Sequence, residues 1–159
     1  MSGKQLILPK NTTFSFEKGG CFRNGMIVGD NTSIVGYKQG IFDNVEICGQ
    51  WNVQYISTDM FKDLTKVNDL KNVFDLTSVN VKNVIKIENK VFHVEVRRVG
   101  EKNLKVPSNT EIILNGTIKM LPNSFTNYYI IELNGENIQL HGSGKIIGDK
   151  HSHTGTTGE

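Results

Sequence analysis

The chain has 159 residues, 18 basic and 16 acidic side chains, and 37% apolar residues, which describes a folded domain rather than a disordered or strongly charged one. A net charge of +2 with scattered lysines gives no footprint for nucleic acid, and no apolar run reaches the roughly 18 residues of a membrane span. Sixteen glycines and three prolines point to many tight turns.

In chain order, residues 1–57 read as a train of very short strands separated by turn residues. The strands fall at 6–8, 13–16, 26–28, 33–35, 45–47 and 51–53, with Gly19-Gly20, Asn24-Gly25, Gly29-Asp30, Gly36, Gly40 and Gly49 between them. A motif recurs through the chain: Asn, short polar residues, then an apolar residue opening a β run. It appears at Asn11, Asn31, Asn44, Asn109 and Asn137. Asn11 and Asn31 lie twenty residues apart, and Asn115-Gly116 and Asn134-Gly135 nineteen apart, so the expected repeat is a solenoid coil of about that length. Met1 to Leu6 lacks a signal-type apolar stretch, so the chain is expected to stay in the compartment where it is made. Cys21 and Cys48 are then expected as reduced, half-buried thiols, although stacking on adjacent coils leaves a disulfide geometrically open.

Residues 58–80 read as a capping region. Met60, Phe61, Leu64, Val67, Leu70, Val73 and Phe74 recur at helical spacing after Thr58, predicting a helix over 58–76 that covers the open end of the coils, with Asn68-Asp69 as a possible break. Residues 81–159 return to strands at 84–87, 91–96, 111–114, 117–120, 129–133, 137–140 and 145–147. The alternation of Ile112, Leu114, Ile118, Met120, Ile131, Leu133, Ile138, Leu140 and Ile146 assigns those residues to the interior.

The order of the helix, Asn83 to Ile87, Val91 to Val94, Leu104 to Ile112 and Gly142 to Asp149 resembles the opening of pectate-lyase-like right-handed parallel β-helix proteins, in particular phage tailspikes and tail fibres. The leader, with Leu6-Ile7-Leu8-Pro9 and Asn31 to Ile34, resembles the segment before such helices in proteins of gut bacteria and crAss-like phages. One departure is Asn89-Lys90 where the family places a glycine before the aromatic of the second strand. The resemblance implies an all-β fold, a right-handed parallel β-helix whose first coils occupy 81–159 and continue beyond 159, after a β-rich attachment leader. It further implies a homotrimeric virion component of the phage tail, assembled in the host cytoplasm, docked to other tail proteins and presenting a rod to host cell-surface polysaccharide. The alternative is a polysaccharide lyase or glycoside hydrolase with catalytic coils beyond residue 159.

The residues nominate no cofactor and no catalytic set. Asp149, His151 and His153, with Glu159, form the densest group of ligand-type side chains, yet spacing fixes no third ligand, so a polar loop is the expected reading over a metal site. Glu132 with Glu136, or Glu111 with Asp149, are carboxylates that stacking could pair for glycosidase chemistry, and chance supplies many such pairs. Trp51, Tyr55, Tyr128 and Tyr129 are the aromatics suited to stack on a sugar, with a core or domain-junction position the expected reading for Trp51. Of Tyr128 and Tyr129, one must face out. Arg97-Arg98 is a local positive patch expected in a solvated turn.

Overall fold

The computed structural model describes residues 4–155. It is mostly strand, and every strand pairing is parallel. The leader holds β1 (Lys4–Ile7), β2 (Thr13–Phe16), β3 (Phe22–Gly36) and β4 (Phe42–Trp51). The fifteen-residue β3 carries β1 on its first part and β2 on its second, and β4 lies on its other side. Pairs such as Phe14 with Ile34 and Phe22 with Phe42 are twenty residues apart, the spacing that the sequence motif predicts.

The second array contains β5 (Tyr55–Ser57), β6 (Asn83–Ile87), β7 (Val91–Val94), β8 (Lys102–Val106), β9 (Thr110–Leu114), β10 (Thr117–Met120), β11 (Tyr129–Leu133), β12 (Gln139–His141) and β13 (Lys145–Ile147). They form three sheets, ordered β5-β6-β9-β12, β7-β10-β13 and β8-β11. Each step up a sheet here spans 26 to 29 residues, as in Val91 with Thr117 and Tyr55 with Val84. The nineteen-residue spacing of Asn115-Gly116 and Asn134-Gly135 is therefore not the repeat of this part. A Cβ on Gly116 would lie 2.2 Å from the Glu88 carbonyl, and one on Gly144 would lie 2.2 Å from the Gly116 carbonyl. Those close approaches exclude any side chain.

The corners explain the recurring asparagine. Asn11, Asn24, Asn31, Asn44, Asn68, Asn109, Asn127 and Asn137 all have φ between 52° and 66°, and among the described residues no other non-glycine residue has positive φ. Asparagine tolerates this left-handed conformation because its short side chain bonds locally. The side chains also stack between coils. Asn31 Nδ2 donates to Asn11 Oδ1 at 2.7 Å, Asn44 to Asn24 at 2.9 Å, and Asn137 to Asn109 at 3.1 Å.

Residues 58–76 do not form the predicted cap. They contain a 3-10 turn, Thr58–Met60, and a five-residue helix, α1 (Lys71–Asp75). Asn68, at φ 66°, breaks the helical path between them. The segment is itself a coil, wedged between the two arrays. Phe61 bridges to Phe42, the Lys62 N–H donates to the Phe42 carbonyl, and the Asn68 N–H donates to the His93 carbonyl. Where no strand is present, asparagine side chains replace its bonds. Asn72 accepts from the Ile47 N–H at 3.0 Å, and Asn68 accepts from the Glu95 N–H at 2.8 Å. Thr58 accepts from the Glu88 N–H rather than capping a helix, and Ser57 caps the turn.

One continuous core runs through both arrays. In the leader it is a column of phenylalanines, Phe14 and Phe16 against Phe22, Phe22 over Phe42, and Phe42 beside Phe61, with ring centroids 4.9 to 6.5 Å apart. Further on it is aliphatic, with Ile85, Ile112, Ile118, Leu114 and Met120 buried. The same alternation continues into β11 to β13, but Leu133, Leu140 and Ile146 are exposed because no described strand lies on their far side.

Replacing Asn31 tests the corner. Asn31→Gly keeps the backbone conformation and loses the amide bond to Asn11, costing about 0.5–1.5 kcal/mol, whereas Asn31→Val adds left-handed strain of about 1–2 kcal/mol. Chemical denaturation of the two variants should rank them in that order; equal losses would contradict the corner account.

Candidate functional site

Two clusters outside the core gather polar side chains. The first centres on Asp149, which follows β13 and is 5% exposed. Coil stacking brings it over the turn after β10. There the Asn123 side chain donates to Asp149 Oδ2 at 2.8 Å, the Asn123 N–H donates to the same oxygen at 3.3 Å, and the Tyr128 hydroxyl donates to Oδ1. His153 Nδ1 lies 2.9 Å from Oδ2, and its ring stacks 6.2 Å from that of Tyr128. The backbone closes the clasp. The Ser152 N–H donates to the Asp149 carbonyl, and the Thr154 N–H to that of Asn123.

Burial alone would raise the Asp149 carboxyl, but the bonds from Tyr128, His153 and Asn123 outweigh it and hold the group below its ordinary value. Tyr128 is pushed up, first by burial and then by its bond to Asp149. Each Asp149 oxygen is thus engaged by protein donors. The cluster joins residues 149–155 to the coil below it, and it gives the sequence-nominated Asp149 and His153 a structural partner set. His151 is exposed and stands apart from it, and Glu159 lies outside the described residues. Among the described residues no group of three His, Cys, Asp or Glu side chains has metal-binding geometry.

The second cluster lies on the outward face of the β5-β6-β9-β12 sheet. Glu111 is held between His141 Nε2 at 3.0 Å and Lys82 Nζ at 3.5 Å. The bond to His141 chiefly, with help from Lys82, lowers its carboxyl from the ordinary value. Beside it opens a cavity of about 240 Å³ edged by Asn80, Lys82, Asn109, Asn137 and Gln139. A larger groove of about 610 Å³ lies where β4 meets residues 61–75, with Asp43, Glu46, Asp69 and Asp75 facing Lys66 and Lys71. Burial raises Asp75, and its bond to Lys71 offsets part of that rise.

The remaining nominated residues separate. Trp51 is 2% exposed, its Nε1 donates to the Cys48 carbonyl at 2.8 Å, and its ring packs over Gly29, so its face is not offered to a ligand. Tyr128 is half-buried in the Asp149 cluster, whereas Tyr129 is 55% exposed at the start of β11. Glu132 pairs with Lys102 rather than with Glu136, and Glu111 and Asp149 sit in different clusters. Arg97 pairs with Glu95 at 3.2 Å. Cys21 and Cys48 are free, half-buried thiols, and Cys48 stacks on Val28 rather than on Cys21. The sequence reading did not anticipate the Glu111–His141 pair, because the coil length that stacks β12 on β9 was not visible in it. Comparison with protein-family models, curated proteins and solved structures finds no match to this chain.

The clasp has a pH signature. Because the folded Asp149 carboxyl titrates below its ordinary 3.8, its stabilisation is fully present above that value and is lost as pH falls through the lower folded one. Tyr128→Phe should cost about 1–3 kcal/mol by leaving the carboxylate short of a donor. Asp149→Asn should flatten the acid limb of thermal stability measured against pH; an unchanged acid limb would contradict the assignment.

Proposed function

We propose that this chain is the N-terminal part of a phage tail fibre or tailspike, a structural virion component assembled in the host cytoplasm. In this reading the parallel coils wind as a right-handed β-helix, three chains associate, the leader meets other tail proteins, and the lateral faces meet host polysaccharide. The observation that carries it is the stacked parallel architecture itself: a scaffold whose inward residues are apolar and whose outward rows vary in chemistry from one sheet to the next. Such a scaffold repeats backbone geometry along one direction and leaves each lateral residue free to contact a long polymer. A trimer would multiply weak contacts through effective concentration.

The first expected outcome is a trimer by light scattering of the native full-length protein. The second is that added cell-surface polysaccharide is bound without shortening. A monomer would contradict the assembly, and progressive shortening of the polymer would transfer the reading to a lyase or glycoside hydrolase.

A further inference from the structure

Parallel register places one residue from each strand of the β5-β6-β9-β12 sheet in a line across its outward face. The first line is Tyr55, Val84, Glu111 and Gln139, and the next is Ser57, Lys86, Ile113 and His141. Their neighbours Ile56, Ile85 and Ile112 point inward and are fully buried, which fixes the first line on the outside. Tyr55 is 46% exposed at one end. At the other end stand Glu111, Gln139 and the amides of Asn109 and Asn137, around the cavity of about 240 Å³.

We propose that this face is a binding site for a neutral oligosaccharide laid across the strands, with one sugar ring on Tyr55 and the hydroxyls of a later sugar held by Glu111, Gln139 and the asparagine row. The assignment rests on the glycan-recognition reading above and adds to it the site and the class of glycan. Three features select the ligand. An exposed tyrosine ring offers the flat apolar face and polar edge that suit a pyranose. Adjacent strands lie about 4.8 Å apart, so the line from Tyr55 to Gln139 advances in steps close to one sugar unit and spans about 14 Å.

Charge is the third feature, and it decides against an acidic polymer. Lys82 is paired with Glu111, and Lys86 with Glu88 at 2.8 Å, so the lysines of this face are matched by carboxylates. Amides that both donate and accept, beside a carboxylate that accepts, on a charge-balanced surface fit hydroxyls. An acidic glycan would instead be drawn to the neighbouring β7-β10-β13 face, where Lys119 and Lys145 have no carboxylate within ion-pair distance among the described residues.

The test uses the full-length protein on a printed array of neutral and uronate-containing oligosaccharides, followed by calorimetric titration of the best-bound one. The expected result is a neutral ligand whose affinity falls about tenfold or more in Tyr55→Ala and in Gln139→Ala, survives in Tyr55→Phe, and is unmoved by Tyr129→Ala. Thermal melts matching the parent protein establish that the variants fold. Binding that persists in Tyr55→Ala and Gln139→Ala overturns this site and leaves glycan recognition standing. So does binding confined to uronate ligands and lost in a Lys119→Ala, Lys145→Ala variant. Binding of no oligosaccharide overturns the site and the glycan-recognition reading together.

Discussion

The structure depends on turning a corner in contact with the coil beneath. Parallel coils share a backbone path, so a bend in one must be repeated a strand spacing away in the next, with no room for a bulky residue between them. The chain meets this constraint with asparagine and glycine. Left-handed φ costs most residues about 1–2 kcal/mol, and among the described residues the only non-glycine residues that adopt it are asparagines. Stacked amides at Asn11 and Asn31, Asn24 and Asn44, and Asn109 and Asn137 then turn a conformational requirement into an inter-coil bond. Where backbone meets backbone more closely, at Gly116 and Gly144, only glycine fits.

Once the corners hold the register, the interior follows. Alternation sends every second residue inward, and register places like on like, producing the phenylalanine column of the leader and the aliphatic column of Ile85 and Ile112. Full burial of each such side chain contributes about 1.5–3 kcal/mol. The two arrays differ in coil length, and residues 58–76 reconcile them. That segment is too irregular to pair as a strand, so the side-chain amide oxygens of Asn68 and Asn72 accept from the backbone N–H groups of Glu95 and Ile47.

The β runs were legible because alternation is a local signal: 13–16, 117–120, 129–133 and 145–147 match β2, β10, β11 and β13. The asparagine motif was legible for the same reason. The longer coil was not, since it is set by which residues stack, and Asn115 and Asn134 merely happen to lie nineteen apart. Nor was the true shape of residues 58–76. Its apolar residues recur at three and four because an irregular coil buries Met60, Phe61, Leu70, Val73 and Phe74, and left-handed Asn68 prevents the helix that the same spacing suggests. Tyr128, Asp149 and His153 were each visible as residues, whereas their convergence requires knowing that residue 149 passes over residue 123.

A stack of parallel coils whose inside is uniform separates stability from the chemistry of its outer rows. Inward positions and corners carry the fold, and outward rows such as Tyr55 to Gln139 can be exchanged with little structural cost. The fold rests on the register between coils, which engineered cysteine pairs test most directly. In a Cys21→Ser, Cys48→Ser background, Thr13→Cys with Ser33→Cys and Thr117→Cys with Lys145→Cys place thiols on directly paired residues, at the Cα separation of about 4.4–6.8 Å that a disulfide needs. Mild oxidation should cross-link both pairs within one chain and leave Asn115→Cys with Asn134→Cys open. Cross-linking of the nineteen-residue pair with failure of the other two would contradict the two-period stack.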